Sequence, residues 1–246
     1  LLRVALLRLK RTGRPQGDGG KQRGNIVALW KPKGPTSFDM VRELRRITGV
    51  WRIGHAGTLD PLAEGVLVLG IGREATKRLG AIVEREKEYL VRITLGATST
   101  TDDAEGTIIR TEGTAPPTRT MLKKALRQFV GTTTQVPPAF SAIKIGGQRA
   151  YVLAREGKKP KIEPRAIHIA SIKLISYRYP LLSLRVQTGK GVYIRSLARD
   201  IGYTLKTGGY VKALVRTRVG AYTRQNSFTL SAFKRWWNDN HAQQLP

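Results

Sequence analysis

The segment Gly54-His55-Ala56-Gly57-Thr58-Leu59-Asp60-Pro61-Leu62-Ala63-Glu64-Gly65 gathers small residues around one imidazole and one central carboxylate, just ahead of an apolar run. Glycines let a backbone approach a ligand closely. Pro61 stiffens the chain and pushes Asp60 toward an extended conformation. A rigid loop that holds one carboxylate at the start of a strand suits a nucleophile or a general base. The same residues also fit an Asp-Pro turn with His55 bonded only to backbone, and spacing alone favours that plainer reading. Other chemistries are narrower still. The chain has no cysteine, which excludes thiol catalysis, disulfides and Cys-ligated zinc. Its three histidines are well separated, which argues against a His-rich metal site.

Such a loop needs elements to position it. Residues 27–30 read as a short strand, ended by Lys31-Pro32-Lys33-Gly34-Pro35. Ser37 is the expected N-cap of a helix carrying Val41, Leu44 and Ile47 at helical spacing, stopped by Gly49. The continuous apolar run 65–72 is expected as a buried strand, and 87–95 has strand character. Residues 118–129 form the clearest helix, with Met121, Leu122, Ala125, Leu126 and Phe129 on one face. The Pro- and Gly-rich stretch 132–147 reads as one long loop, and such loops often carry function. Two strands, 166–175 and 181–188, flank a Tyr-Pro turn; 194–205 is a helix; 210–222 returns as strand. Helices and strands mix without regular alternation, so the expected class is α+β with a mixed, mostly antiparallel sheet flanked by helices.

Charge points to the partner. The 246 residues carry 44 Lys+Arg against 17 Asp+Glu, a net +27. Residues 1–24 hold seven basic groups and one acidic one, so most of the excess belongs to the body of the chain. A polyanion neutralises such a charge, and nucleic acid is the first to consider. No run of eighteen apolar residues suggests a membrane span. Residues 1–24 read as a basic flexible arm, with a Gly-rich linker from 13 to 24. The arm lacks the apolar run of a secretory signal, though an Arg-rich leader also fits organelle targeting. The first residue is not Met, as expected if the numbering starts inside a longer chain.

The motifs together carry a resemblance. Residues 54–67 resemble the G-H-x-G-T-L-D-P-x-A-x-G-V-L signature of the TruB family of tRNA pseudouridine synthases. Lys31-Pro32-Lys33-Gly34-Pro35-Thr36-Ser37 resembles that family's K-P-x-G-x-T-S element. Lys87-Glu88-Tyr89, Leu95-Gly96 and Thr101-Asp102 resemble its K-x-Y…L-G…T-D run. Gln135-Val136-Pro137-Pro138-Ala139-Phe140-Ser141-Ala142-Ile143-Lys144 resembles Q-x-P-P-x-x-S-A-x-K. Gly191-Val192-Tyr193-Ile194-Arg195-Ser196-Leu197 resembles G-T-Y-I-R-S-L, with Val192 where Thr is usual. Five ordered elements are far more specific than any one of them.

The resemblance implies the pseudouridine synthase fold with an RNA-binding insertion, here around 132–157 with Lys144 and Arg149. It implies isomerisation of a tRNA T-loop uridine, position 55, with no cofactor and no metal. Asp60 matches the catalytic aspartate, which attacks the nucleoside or takes a ribose proton. Arg195 matches the arginine that pairs with it, and Tyr89 the tyrosine that stacks on the base and helps move the C5 proton. His55 matches the histidine that holds the flipped-out loop. Lys31 and Leu214 match pocket-lining positions; Gly57, Thr58, Lys144 and Tyr193 lie in motifs expected to contact the RNA. A monomer in the cytoplasm, bound to the tRNA T arm and not to a membrane, is the expected setting.

The expected division is an arm at 1–24, a catalytic domain at 25–225 and a short C-terminal segment at 226–246. Family members usually continue into a PUA-type domain, and this last segment is too short to be a complete one. Its Leu230, Phe233, Trp236 and Trp237 are expected on one amphipathic helix. Two other functions remain open on the sequence: the same chemistry on ribosomal or other RNA, and RNA chaperoning or a structural role in a ribonucleoprotein.

Overall fold

The computed structural model describes residues 25–158 and 160–241. The basic arm expected at 1–24 lies outside the described residues. In chain order the elements begin with β1 (Ile26–Lys31), α1 (Ser37–Thr48), β2 (Ile53–His55), β3 (Glu64–Ile71), α2 (Arg73–Val83), β4 (Lys87–Leu95), β5 (Ala97–Ser99) and β6 (Ile108–Arg110). They continue with α3 (Arg119–Arg127), β7 (Gly131–Gln135), β8 (Lys144–Ile145), β9 (Gln148–Arg149), α4 (Ala150–Arg155), β10 (Arg165–Arg178) and β11 (Leu181–Thr188). The last are α5 (Ile194–Thr204), β12 (Gly209–Val219), β13 (Tyr222–Thr223) and α6 (Leu230–His241). This is the expected α+β class. The chain forms two compact units, one ending at Tyr89 and resuming at Val215, the other running Leu90–Leu214.

In the first unit β3 is central. Its residues from Gly65 to Ile71 are all buried, so it reads as an apolar run and not as an alternating one. It pairs antiparallel with β1, Leu29 opposite Leu67 and Lys31 opposite Gly65, and antiparallel with β2. On its other side it pairs parallel with β12, Arg216 opposite Gly65. Gly65 is required there: its φ is +126°, and a Cβ would lie 2.2 Å from Arg216 O. Ile26, Ala28, Val66, Val68, Ala75, Leu79 and Val219 form one buried cluster, with Trp30 and Tyr222 packed against it. The segment leading into α6 is tied to β1 through Trp30 N to Phe228 O (2.8 Å) and Phe228 N to Ala28 O (2.9 Å). The expected C-terminal helix is present, its Phe233 fully buried against Phe228 and Trp236.

In the second unit the strands run β12, β4, β11, β10, β7. β10 and β11 pair antiparallel around Tyr179-Pro180, and β7 pairs antiparallel with β10.

Several boundaries differ from expectation for identifiable reasons. The N-cap of α1 is Thr36, not Ser37: Thr36 Oγ1 accepts from Asp39 N at 3.0 Å while the Asp39 carboxylate accepts from Thr36 N at 2.7 Å, a reciprocal capping box. Gly49 ends the helix at φ +69°, as expected. Met121 is 51% exposed, because the buried stripe of α3 is Leu122, Ala125 and Leu126, and Met121 sits a residue ahead of it. The stretch 132–147 is not one loop. Its start is β7, whose threonines alternate outward at a sheet edge, and a short β8–β9 hairpin follows. Polar composition hides an edge strand, since only one of its neighbours is a strand.

Candidate active site

The loop between β2 and β3 carries Asp60, and three groups within the same unit fix it. Ser37 Oγ accepts from Leu59 N at 2.8 Å and donates to Leu59 O at 2.9 Å, all three atoms buried. Gly34 N donates to Pro61 O at 2.9 Å, which ties the Lys31–Pro35 segment to the residue after Asp60. Ala63 N closes a turn on Asp60 O at 3.0 Å. The flanking Leu59 and Leu62 are buried and Asp60 itself is half-buried. The loop is thus anchored on both sides of its carboxylate, which is what a reacting group held in one geometry requires.

A fourth anchor is Arg216, which has no counterpart among the residues expected from the motifs. It is 1% exposed. Its Nε donates to Val66 O at 2.8 Å, Nη2 to Gly57 O at 2.9 Å and Nη1 to Thr58 O at 3.3 Å. The planar fork spans β3 and the loop at once, as an ammonium could not. Burial pushes its pKa down, while the neighbouring Tyr89 and then the charge of Asp60 push it back up. Tyr89 and Asp60 therefore both lie near the Arg216 guanidinium. Gly57 is left-handed at φ +96°, and a Cβ added there would lie 3.5 Å from Arg216 Nη1 and 3.8 Å from Lys87 Cε.

Three further basic groups stand near this centre. His55 ends β2 opposite Leu69. Burial, with the charge of Arg216, lowers its pKa and favours the neutral imidazole. Its Nδ1 is buried with no hydrogen-bond partner among the described residues. Lys87 is buried beside Arg216, its Nζ donating to Val83 O (2.7 Å) and Arg85 O (2.8 Å). Burial, then Arg216, lowers its pKa to about 8, against a smaller opposing effect of Glu84. Lys31, fully buried at the end of β1, donates to Pro32 O (2.9 Å) and Pro35 O (2.6 Å), so it shapes the turn that reaches Pro61. Tyr89 is buried on β4.

The second unit holds Arg195, Tyr193, Leu214 and Lys144. Arg195 is 5% exposed in the first turn of α5. Its Nη1 donates to Thr101 O (3.1 Å) and its Nη2 to Phe140 O (2.8 Å), with Asp103 Oδ2 3.7 Å from Nε. Three sequence motifs thus meet on one guanidinium. Gln135 completes the junction, accepting from Tyr193 N (2.8 Å) and donating to Tyr193 O (3.1 Å). Ser196 Oγ and Arg199 Nη2 both donate to Val136 O, at 2.8 and 2.9 Å. Arg199 also bonds Asp102 (3.0 Å), whose pKa burial raises against the pull of Arg199 and Arg195. Leu214 is buried on β12, and Lys144 is exposed on β8. Among the described residues no cluster of His, Asp or Glu is placed to hold a metal ion, and no helix is long and apolar enough to cross a membrane.

The family description "TruB family pseudouridylate synthase (N terminal domain)" matches residues 45–194, and "tRNA pseudouridylate synthase B C-terminal domain" matches residues 195–246. The chain belongs to the TruB family of pseudouridylate synthases. It is 45% identical over 213 residues to tRNA pseudouridine synthase B of Mycobacterium sp. (strain KMS), spanning 85% of this chain and 71% of that one. It is 39% identical over 228 residues to tRNA pseudouridine synthase B of Phocaeicola vulgatus, spanning 90% and 97%. Among solved structures, a Cbf5-Nop10-Gar1 complex matches with TM-score 0.68 at 23% identity, over 97% of this chain and 67% of that one; this likeness is one of fold.

Proposed function

We propose that the protein converts the T-loop uridine of tRNA, position 55, to pseudouridine. The reading rests on the Asp60 loop of a TruB chain, anchored by Ser37 through Leu59 and by Arg216 through Gly57. The reaction breaks the N1–C1′ bond, turns the uracil and forms a C5–C1′ bond. C5 then loses its proton and N1 gains one, so the product is an isomer of the substrate and no electrons are gained or lost.

In this reading Asp60 initiates cleavage, attacking the nucleoside or taking a ribose proton. Arg195 pairs with that carboxylate; a guanidinium has five N–H donors, enough for its two carbonyl contacts and a carboxylate together. Tyr89 stacks on the uracil and assists removal of the C5 proton. The target base must leave its loop to reach Asp60. His55, kept neutral, presents an uncharged ring to the vacated stack, and Gly57 and Thr58 line the approach. Lys31 and Leu214 hold the pocket walls. Tyr193 and Lys144 meet the RNA from the motifs around Arg195, and the insertion from 132 to 157 closes on the T arm. In this reading the enzyme acts as a monomer in the cytoplasm, where tRNA matures.

The test is release of tritium from C5-labelled uridine in an unmodified tRNA transcript, with the product position mapped. The proposal predicts one equivalent released from the T-loop site and none when that uridine is replaced by cytidine. Release that persists after the replacement would contradict it.

A further inference from the structure

The exposed face of α1 carries a stacked arrangement that the Asp60 site does not use. Trp51 is 79% exposed and Phe38 is 56% exposed. Between them lies Arg45, its guanidinium carbon 4.6 Å from the centre of the Trp51 ring and 5.6 Å from that of Phe38. Phe38 and Arg45 are seven residues apart on one helix, two turns and about 10 Å along the same face. Neighbouring arginines on α1 are paired with acids, Arg42 with Asp39 and Arg46 with Glu43. Arg45 instead spends its planar surface on two rings, and its buried Nε has no hydrogen-bond partner among the described residues.

We infer that Trp51, Arg45 and Phe38 form a stacking surface for an unpaired nucleotide of the RNA substrate, distinct from the uridine that Asp60 receives; this rests on the RNA-modifying function proposed above. Two large exposed rings gathered about one guanidinium make a patch of the kind that marks an interaction site. The candidate cover is a base, because the surroundings are net cationic: Arg42 and Arg46 are balanced by Asp39 and Glu43, which leaves the charges of Arg45 and the exposed Arg52. A flat apolar ring backed by a guanidinium and rimmed by arginines matches a nucleobase with its phosphate. The surface is also rigidly tied to the Asp60 loop. Arg52 O accepts from Gly72 N (2.8 Å), Trp51 leads directly into β2, and the first residue of α1, Ser37, holds Leu59. A base stacked on Trp51 would therefore fix the register of the RNA relative to Asp60.

The experiment measures equilibrium binding in an Asp60→Asn background, using an unmodified tRNA transcript and a fully paired RNA duplex of equal length. Trp51→Ala should weaken tRNA binding about tenfold, Trp51→Phe should restore most of it, and neither should change duplex binding. Thermal melting of each variant checks the fold. Equal affinity of Trp51→Ala and the parent for tRNA would overturn the inference, as would an equal loss for tRNA and duplex. Both results would leave the proposed reaction standing if the parent without the Asp60 change still forms pseudouridine; a parent inactive on tRNA would instead remove the reading on which the inference rests.

Discussion

Arg216 holds the carbonyl of Gly57 at 2.9 Å, and so fixes the loop three residues before Asp60 from inside the protein. The same side chain reaches Val66 and Thr58. Arg216→Met should remove all three bonds and leave buried carbonyls without donors. A loss of about 3 kcal/mol in unfolding free energy is expected, with turnover reduced more than tenfold. Arg216→Lys should recover part of the stability but not the turnover, since one ammonium does not span β3 and the loop together. Denaturant unfolding and single-turnover rates check both, and a Met variant as stable as the parent would refute this role.

Gly65 tests the close approach of β3 and β12. A Cβ there would sit 2.2 Å from a backbone oxygen at a left-handed φ. Gly65→Ala should prevent the native pairing and yield insoluble or poorly folded protein, read by expression yield and circular dichroism. Native melting would contradict the parallel register of Arg216 with Gly65.

Lys87 gives a pH signature. Its pKa in the folded protein is about 8, below its ordinary 10.5. Between those values the unfolded chain binds the proton and the folded one releases it, so stability rises with pH across that window. The stability of the parent relative to Lys87→Met should therefore increase from pH 8 to pH 10 in paired denaturant titrations. A flat or falling difference would show that Lys87 is not desolvated.

Much of this was legible because it is local. The β3 run, the Gly49 stop and the capped helices depend on nearby residues. The Asp60 loop was recognisable because backbone constraints forced small residues into a fixed spacing. Arg216 was not, because a single arginine within a strand looks like a solvent-facing residue; only the parallel pairing with Gly65 turns it inward. Ser37 was read as a cap, yet its hydroxyl serves Leu59, 22 positions away, a contact that no periodicity encodes. α2 was missed although Ala75 and Leu79 lie at helical spacing, because Gly72 and Gly80 interrupt the pattern.

Arg195 joins the Thr101 and Phe140 carbonyls in a buried setting. Arg195→Lys should lower turnover at least a hundredfold while changing tRNA affinity less than threefold, because the bidentate fork is lost and the surface is not. Measured binding and rates on one tRNA transcript decide it; weak binding with normal turnover would identify a phosphate contact instead.

The most direct measurement compares the parent and Asp60→Asn on the same tRNA transcript, scoring pseudouridine at the T-loop uridine and binding in parallel. Asn keeps the side-chain shape but is a poor nucleophile and base. The account predicts complete conversion by the parent, none by Asp60→Asn, and tRNA binding within about threefold of each other. Substantial conversion by purified Asp60→Asn would contradict it.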